Sequence, residues 1–302
     1  NLPSVDAFLV GFQGQLDMIL LRRLLFERRR IVFAPLVTLS ETLIEDRQVY
    51  SPASTRASVV RWLDRASLRA ATRVVFDTDT HRTAVARAFD LPSPQTAVWH
   101  LGCDSEAFTR RPPREPDGIV RVLFYGSFLP LHGVQTILEA AALLADEPHI
   151  QFELAGDGSE YAAATAYVRR HRLGNVRLSA WRSYESLADL IAGADICLGI
   201  FGGSQKAQMV IPNKVYQCAN VGRPIITGDT PAIREVFAHG ETIWLCPPGS
   251  PAALAEAVRT LSRDTAVRLR LGRHAADLLA ERFSPLRQAD ALSRLLGETA
   301  QS

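Results

Sequence analysis

Cysteine is scarce and scattered. The 302 residues hold four, Cys103, Cys197, Cys218 and Cys246, and no two form a Cys-x-x-Cys pair. Each sits in or beside an apolar run, which fits reduced thiols and excludes a disulfide framework or a zinc ribbon. Excess charge is missing as well. A formal net charge of +2 is too small to imply a nucleic-acid partner. No apolar run is long enough to cross a bilayer. The sequence shows no secretory signal, and the reduced thiols fit the cytoplasm as the expected compartment. The first residue is Asn1 rather than Met, which leaves a preceding segment open. There is no internal repeat, no low-complexity tract and no cluster with metal-ligand spacing. What is present is an ordinary globular composition, 47% hydrophobic and 22% charged, in a chain long enough for two domains.

Short apolar segments alternate with amphipathic ones. Strands are expected at residues 6–10, 30–34 and 73–76, with helices at 16–29 and 56–72 between them. Such alternation means βα units and a parallel sheet. The apolar, barely alternating strands suit a sheet covered on both faces. Residues 92–116 hold five prolines and break the pattern, as an interdomain connection would. A second series follows, with strands at 120–125, 150–155, 176–178 and 195–200 and helices at 134–145, 161–171 and 187–192. Ser250-Pro251 and Ser284-Pro285 are helix starts, Ser capping and Pro in the first turn.

The densest stretch is 209–227, MVIPNKVYQCANVGRPIIT. A Pro precedes a helical pattern, Gly222 is placed to end it, and Pro224-Ile225-Ile226 starts a short apolar strand. Asn213 and Lys214 fall at the helix N-terminus, where free N–H groups and a partial positive charge can hold a phosphate. The run Pro-Asn-Lys-x-Tyr, then Gly-x-Pro-Ile, resembles the donor-binding helix of retaining GT-B glycosyltransferases of family 4. His100-Leu101-Gly102-Cys103-Asp104 and Phe108 resemble that family's interdomain linker. The likeness is strong over residues 99–283 and weaker over 6–90.

The resemblance implies an α/β chain of GT-B type, two Rossmann-like domains facing a cleft, the N-terminal one incomplete. The matching boundaries are an acceptor-side domain at 1–110, a nucleotide-sugar domain at 118–283 and a C-terminal helix at 284–302 that crosses back to the first domain. The implied reaction moves a sugar from a nucleotide sugar to an acceptor with retention, with no metal and no cofactor beyond that co-substrate. Four loops would carry it, since ligands of open α/β sheets bind beyond the carboxyl ends of the strands. In the first, Gly126, Ser127, His132 and Gly133 stand where the family has Gly-Arg and Lys-Gly around the diphosphate, so both family cations are replaced. Pro212, Asn213 and Lys214 supply the other diphosphate contacts, and Lys214 is the cation expected to compensate, with Lys206 in reserve. Gly156-Asp157-Gly158 is a ligand contact or a plain turn. Trp181 and Arg182 would face the nucleobase, or Trp181 packs over the sheet edge. Met209 and Gln217 occupy the places of two family glutamates, at the sugar and the ribose; no catalytic residue is assigned.

Other readings remain beside this one. The replaced glutamates favour a protein that binds nucleotide sugar without turning it over, and a GT-B epimerase is a third reading. Asp77-Thr78-Asp79 resembles the metal-binding Asp-x-Asp of another glycosyltransferase fold, but a solvated turn with a helix cap accounts for it. Arg61, Arg65, Arg69 and Arg73 recur every fourth residue beside Trp62, as a helix stripe. Arg22, Arg23, Arg28, Arg29 and Arg30 form a second basic cluster. Their functional reading is peripheral docking on anionic lipid at the inner membrane face, near a lipid-linked acceptor; the other is a solvated helix face.

Overall fold

The computed structural model describes residues 5–25, 30–47 and 49–297. Its chain divides into two compact units, one ending at Leu101 and taking back the chain from Leu286, the other Gly102–Pro285.

The first unit is a parallel sheet in sequence order, β1 (Ala7–Val10), β2 (Arg30–Phe33), β3 (Arg73–Phe76) and β4 (Thr96–Val98). Helices Gln15–Leu24, Thr55–Ala70 and Asp79–Phe89 make the crossovers. Ile31, Phe33, Val74 and Phe76 alternate inward into one core with Met18, Leu68, Val85 and Phe89. Three features depart from the expected pattern. Strand β4 lies inside the proline-rich stretch, helix Asp79–Phe89 was not foreseen, and residues Glu41–Asp46 form a π-helical turn. Asp77-Thr78-Asp79 does cap a helix, Thr78 accepting from the His81 N–H. It is not a solvated turn, because Asp77 and Thr78 are buried. Asp77 instead pairs with the buried His81 at 2.9 Å, and His81 reaches Glu41 at 3.0 Å on its other side. Two carboxylates hold His81 protonated, pushing it up to about 10 against the opposing effect of burial.

The arginine stripe is corrected in part. Arg73 opens β3 rather than continuing the helix. Arg65 and Arg69 share Asp90 at 3.5 and 3.9 Å, and Arg61 donates to the Pro52 carbonyl. Arg22 and Arg23 end helix Gln15–Leu24, while Arg28 and Arg29 lie outside the described residues. Arg30 donates to the carbonyls of Leu296 and Gly297, fastening the last helix (Pro285–Gly297) to the first unit's sheet. No described helix is long and apolar enough to cross a membrane.

The second unit has six parallel strands, β5 (Val120–Tyr125), β6 (Ile150–Ala155), β7 (Val176–Ser179), β8 (Ile196–Leu198), β9 (Ile225–Gly228) and β10 (Trp244–Cys246), in the order β10-β9-β8-β5-β6-β7. The chain winds outward from β5 in one direction, returns, and winds outward from β8 in the other. The carboxyl ends of β5 and β8 therefore flank the switch point where α/β sheets bind ligands. Val122, Phe124, Phe152, Leu154, Ile196 and Leu198 pack on Ile137, Leu138, Leu254 and Val258 of the covering helices. Burial of about 1.5–3 kcal/mol per large side chain makes this core the rigid base of the loops above it.

The proline-rich stretch is not a free connection. From Gly102 onward it lies against helix Asn213–Val221. Asn220 donates to the Phe108 carbonyl at 2.7 Å, the Arg111 N–H donates to Val221, and the buried Arg223 donates to Pro112 and Ala192. All four cysteines are free.

Candidate functional site

A pocket of about 390 Å³ opens at the switch point, lined by Tyr125, Gly126, Ser127, His132, Ala155, Trp181, Arg182, Leu187, Pro212, Asn213, Lys214 and Gln217. It collects residues from the ends of β5, β6 and β7 and from the helix that follows β8. Eight of the residues singled out by sequence besides Lys214 meet here: Gly126, Ser127, His132, Trp181, Arg182, Pro212, Asn213 and Gln217. No carboxylate is among the described residues that line the pocket, so its ionisable lining is basic.

Helix Asn213–Val221 points its N-terminus into this space. Pro212 precedes it without a side-chain cap, unlike the helices capped by Ser54, Thr78, Ser204, Thr230, Ser250 and Asp264. First-turn N–H groups are thus left to a ligand. Lys214 is not an exposed first-turn residue. It is 7% exposed, and its Nζ has no hydrogen-bond partner. The ammonium lies 3.9 Å from the centre of the Phe124 ring, a cation–π contact beneath the pocket floor. Burial without a counter-charge pulls its pKa down to about 7.

His132 sits beside it. Its Nδ1 contacts the Ser127 carbonyl and its ring meets Phe124 edge-on. Burial, then the Lys214 charge, push it down to about 3, so the imidazole is neutral. Lys206, on helix Gln205–Met209, also bears on His132, but does not line the pocket.

Gln217 Oε1 accepts from the Tyr125 hydroxyl at 2.7 Å. Tyr125 was missed in the sequence; its place as the last residue of an apolar strand before a glycine was the available signal. Glu at 217 would keep that bond on one carboxylate oxygen and offer the other to a diol. Gln217→Glu is therefore expected to tighten binding of ribonucleotides by about 1 kcal/mol, the difference between charged and neutral hydrogen bonds. Calorimetry with ribo- and 2′-deoxynucleotides checks it, and an equal change for both would remove Gln217 from the ribose. Trp181 is 61% exposed at the rim, which sets aside its packing over the sheet edge. Arg182 beside it is steadied by Glu153 at 3.5 Å.

Two expected residues do not line the pocket. Met209 ends helix Gln205–Met209 and is buried, as its apolar side chain requires. Gly133 is a packing glycine. Its φ is +65°, and a Cβ there would lie 2.7 Å from Gly202 N and Phe201 C, so it lets two loops touch backbone to backbone. Gly156-Asp157-Gly158 is likewise a brace: the Asp157 carbonyl accepts from the Phe128 N–H at 2.8 Å, and none of the three lines the pocket.

Comparison with known proteins adds a family match and a fold. Residues 120–264 match the family described as Glycosyl transferases group 1. The chain is 25% identical over 258 residues to the alpha-D-kanosaminyltransferase of Streptomyces kanamyceticus, covering 80% of this chain and 64% of that protein. It is 27% identical over 242 residues to the 2-deoxystreptamine N-acetyl-D-glucosaminyltransferase of Niallia circulans, covering 75% and 59%. The chain thus spans about three-fifths of the length of these curated relatives. Among solved structures, HepE of Anabaena with UDP and glucose aligns with a TM-score of 0.76 at 17% identity, over 96% of this chain and 77% of that one. Sucrose-phosphate synthase from Thermosynechococcus elongatus aligns with a TM-score of 0.75 at 19% identity, over 96% and 72%. With two parallel α/β units and these neighbours the chain has the GT-B fold, and over residues 120–264 it is similar to group 1 glycosyltransferases.

Proposed function

We propose that this protein is a retaining glycosyltransferase of family 4 type, metal-independent, that takes its sugar from a nucleotide donor. The observation that carries the reading is Lys214, a buried, unpaired cation at an uncapped helix N-terminus in a pocket without carboxylates. Such a charge costs several kcal/mol to bury unless an anion meets it. A diphosphate supplies the anion and accepts the free N–H groups of the same turn. Leaving-group departure adds negative charge at that point, so the groups that bind the donor also stabilise its cleavage. Trp181 offers a face for the base, and Gln217 an amide for the ribose. HepE was crystallised with UDP, and the named relatives are glycosyltransferases, which supports the same ligand class here.

A thermal-shift panel of UDP, GDP, ADP and dTDP tests the reading. One of them is expected to raise Tm by mass action, by about 2.7 kcal/mol of stabilisation at a hundredfold excess over Kd. Release of free sugar from the matching nucleotide sugar then separates a transferase from a mere binder. No shift with any of the four nucleotides would end the proposal.

A further inference from the structure

Three groups lining the pocket can carry positive charge; Arg182 has Glu153 at 3.5 Å, while His132 and Lys214 have no counter-ion among the described residues. His132 Nδ1 contacts a carbonyl oxygen, that of Ser127. A carbonyl only accepts, so Nδ1 carries the hydrogen. In the neutral ring Nε2 is then a lone pair, and the described residues give it no partner. Lys214 Nζ has none either. Both groups flank the same strip of backbone: a Cβ on Gly126 would lie 2.7 Å from Lys214 Nζ and 3.7 Å from His132 Cε1.

The surroundings offer no negative charge. Lys206 faces His132 from helix Gln205–Met209 and repels a proton there. Tyr125 on β5 is driven far toward its neutral form by burial. Gln217 and Cys218 come from the next turn of the Lys214 helix, and Gly126 and Ser127 from the loop after β5. None is a carboxylate. A phosphate oxygen brought against Nε2 would meet a lone pair with lone pairs, a repulsive arrangement that one added proton turns into a charged hydrogen bond.

Building on the proposed function, in which this pocket takes a nucleoside diphosphate, we propose that the nucleotide enters together with a proton from solvent. The proton converts His132 to an imidazolium whose Nε2–H meets a phosphate oxygen, while Lys214 is held charged beside it. The bonds made are Nε2–H and, in the fraction of molecules whose Lys214 is neutral, Nζ–H, the protons coming from solvent; no covalent bond to the nucleotide forms or breaks. The low proton affinity of both groups in the empty site, about 3 for His132 and about 7 for Lys214, leaves room for uptake across the neutral range. Residue choice agrees. The chain has only two lysines among its 34 basic residues, Lys206 and Lys214, and both lie in this loop region. Arginine stays charged under all these conditions, whereas a buried lysine gives up its proton readily. An Arg at position 132 would hold the same anion with no proton exchanged.

Binding raises the pKa of both groups, so affinity is highest at the acid side and falls as pH rises through their bound values. Titration calorimetry of the whole protein with UDP, at pH 7.5 in buffers of different ionisation enthalpy, reads the proton count directly. Uptake of between about one and two protons per UDP is expected, one at His132 and the remainder at Lys214, with none for uridine. Above pH 7.5, where the terminal phosphate of UDP (second pKa about 6) is already ionised, Kd should rise up to about tenfold per pH unit for each proton taken up. His132→Arg should lower the uptake and flatten the pH profile. UDP bound with no proton uptake and a flat pH profile would overturn the inference and leave the proposed function standing. Uptake unchanged in His132→Arg would remove His132 from it. Failure of UDP, GDP, ADP and dTDP alike to bind between pH 5.5 and 8.5 would instead overturn the function on which it rests.

Discussion

Lys214→Met is expected to stabilise the empty protein and to cripple its hold on a diphosphate. Methionine has the length and flexibility to fill the space over Phe124 without a charge. The native ammonium is buried, and its folded pKa falls from 10.5 to about 7. A lowered lysine pKa means that the folded state resists the charged form. The cost is fully present below pH 7, shrinks as pH rises from 7 to 10.5, and is gone above that. At 1.36 kcal/mol per unit the ceiling is about 5 kcal/mol. The cation–π contact at 3.9 Å returns part of it, so a gain of about 2–4 kcal/mol at pH 6 is expected. Diphosphate binding should weaken by about 1.5–3 kcal/mol, the range for a charged hydrogen bond, and nucleoside binding should hardly change. Chemical denaturation at pH 6 and pH 9, with calorimetry on UDP and uridine, measures all of this. A less stable variant at pH 6, or equal losses for UDP and uridine, would make Lys214 a support of the fold instead.

That trade places Lys214 among residues kept at a cost to stability. The sequence pointed to it through local rules: a Pro, a helical period, a cation where the helix dipole disfavours one. Those rules say nothing about depth. Whether position 214 faces solvent or Phe124 depends on which turn of the helix meets β5, a long-range fact. The same limit explains Met209, read at the sugar from its spacing to Gln217, but folded away because its apolar side chain finds the core. Tyr125 was hidden inside the run VRVLFY, where it reads as one more apolar strand residue.

The fold was more legible than the site. Alternating apolar and amphipathic segments sufficed for parallel sheets in both units, because a βα repeat has few ways to bury its strands. The misses share a cause. Strand β4 is three residues long between prolines, too short for a period to register. The helix Asp79–Phe89 begins at the cap that was read in Asp-Thr-Asp, but no helix was drawn after it. In the His81–Asp77–Glu41 cluster His81 meets Glu41 from 40 positions away, and no spacing rule connects them.

The second large effect is expected from a residue with no side chain. Gly156 follows β6, and its φ of +149° is rare for any other residue. A Cβ added there would lie 2.0 Å from the Gly126 carbonyl oxygen and 3.0 Å from its carbon. Neither neighbour can rotate aside. The Gly126 N–H is bonded to Ala155 at 3.0 Å and the Gly156 N–H to Ser179 at 3.0 Å, so both loops are held by the ends of β6 and β7. Gly156→Ala must therefore drive the β5 and β6 loops apart and carry Ser127 and His132 away from Lys214. Overpacking against backbone, with a strained φ, should cost about 3 kcal/mol or more. At this size the loss corresponds to a Tm fall of roughly 6–12 °C. Gly203→Ala is the matched comparison, since a Cβ at 203, in the loop after β8, meets nothing within 4 Å. It should melt with the parent and bind UDP normally. Gly156→Ala should do neither, and binding should suffer even well below its Tm, because the displaced loop carries one of the two proton-binding groups. A Gly156→Ala protein that melts with the parent would mean that the two loops do not touch. One that melts early yet binds UDP as tightly would show that the Gly126 loop can be moved without consequence for the anion.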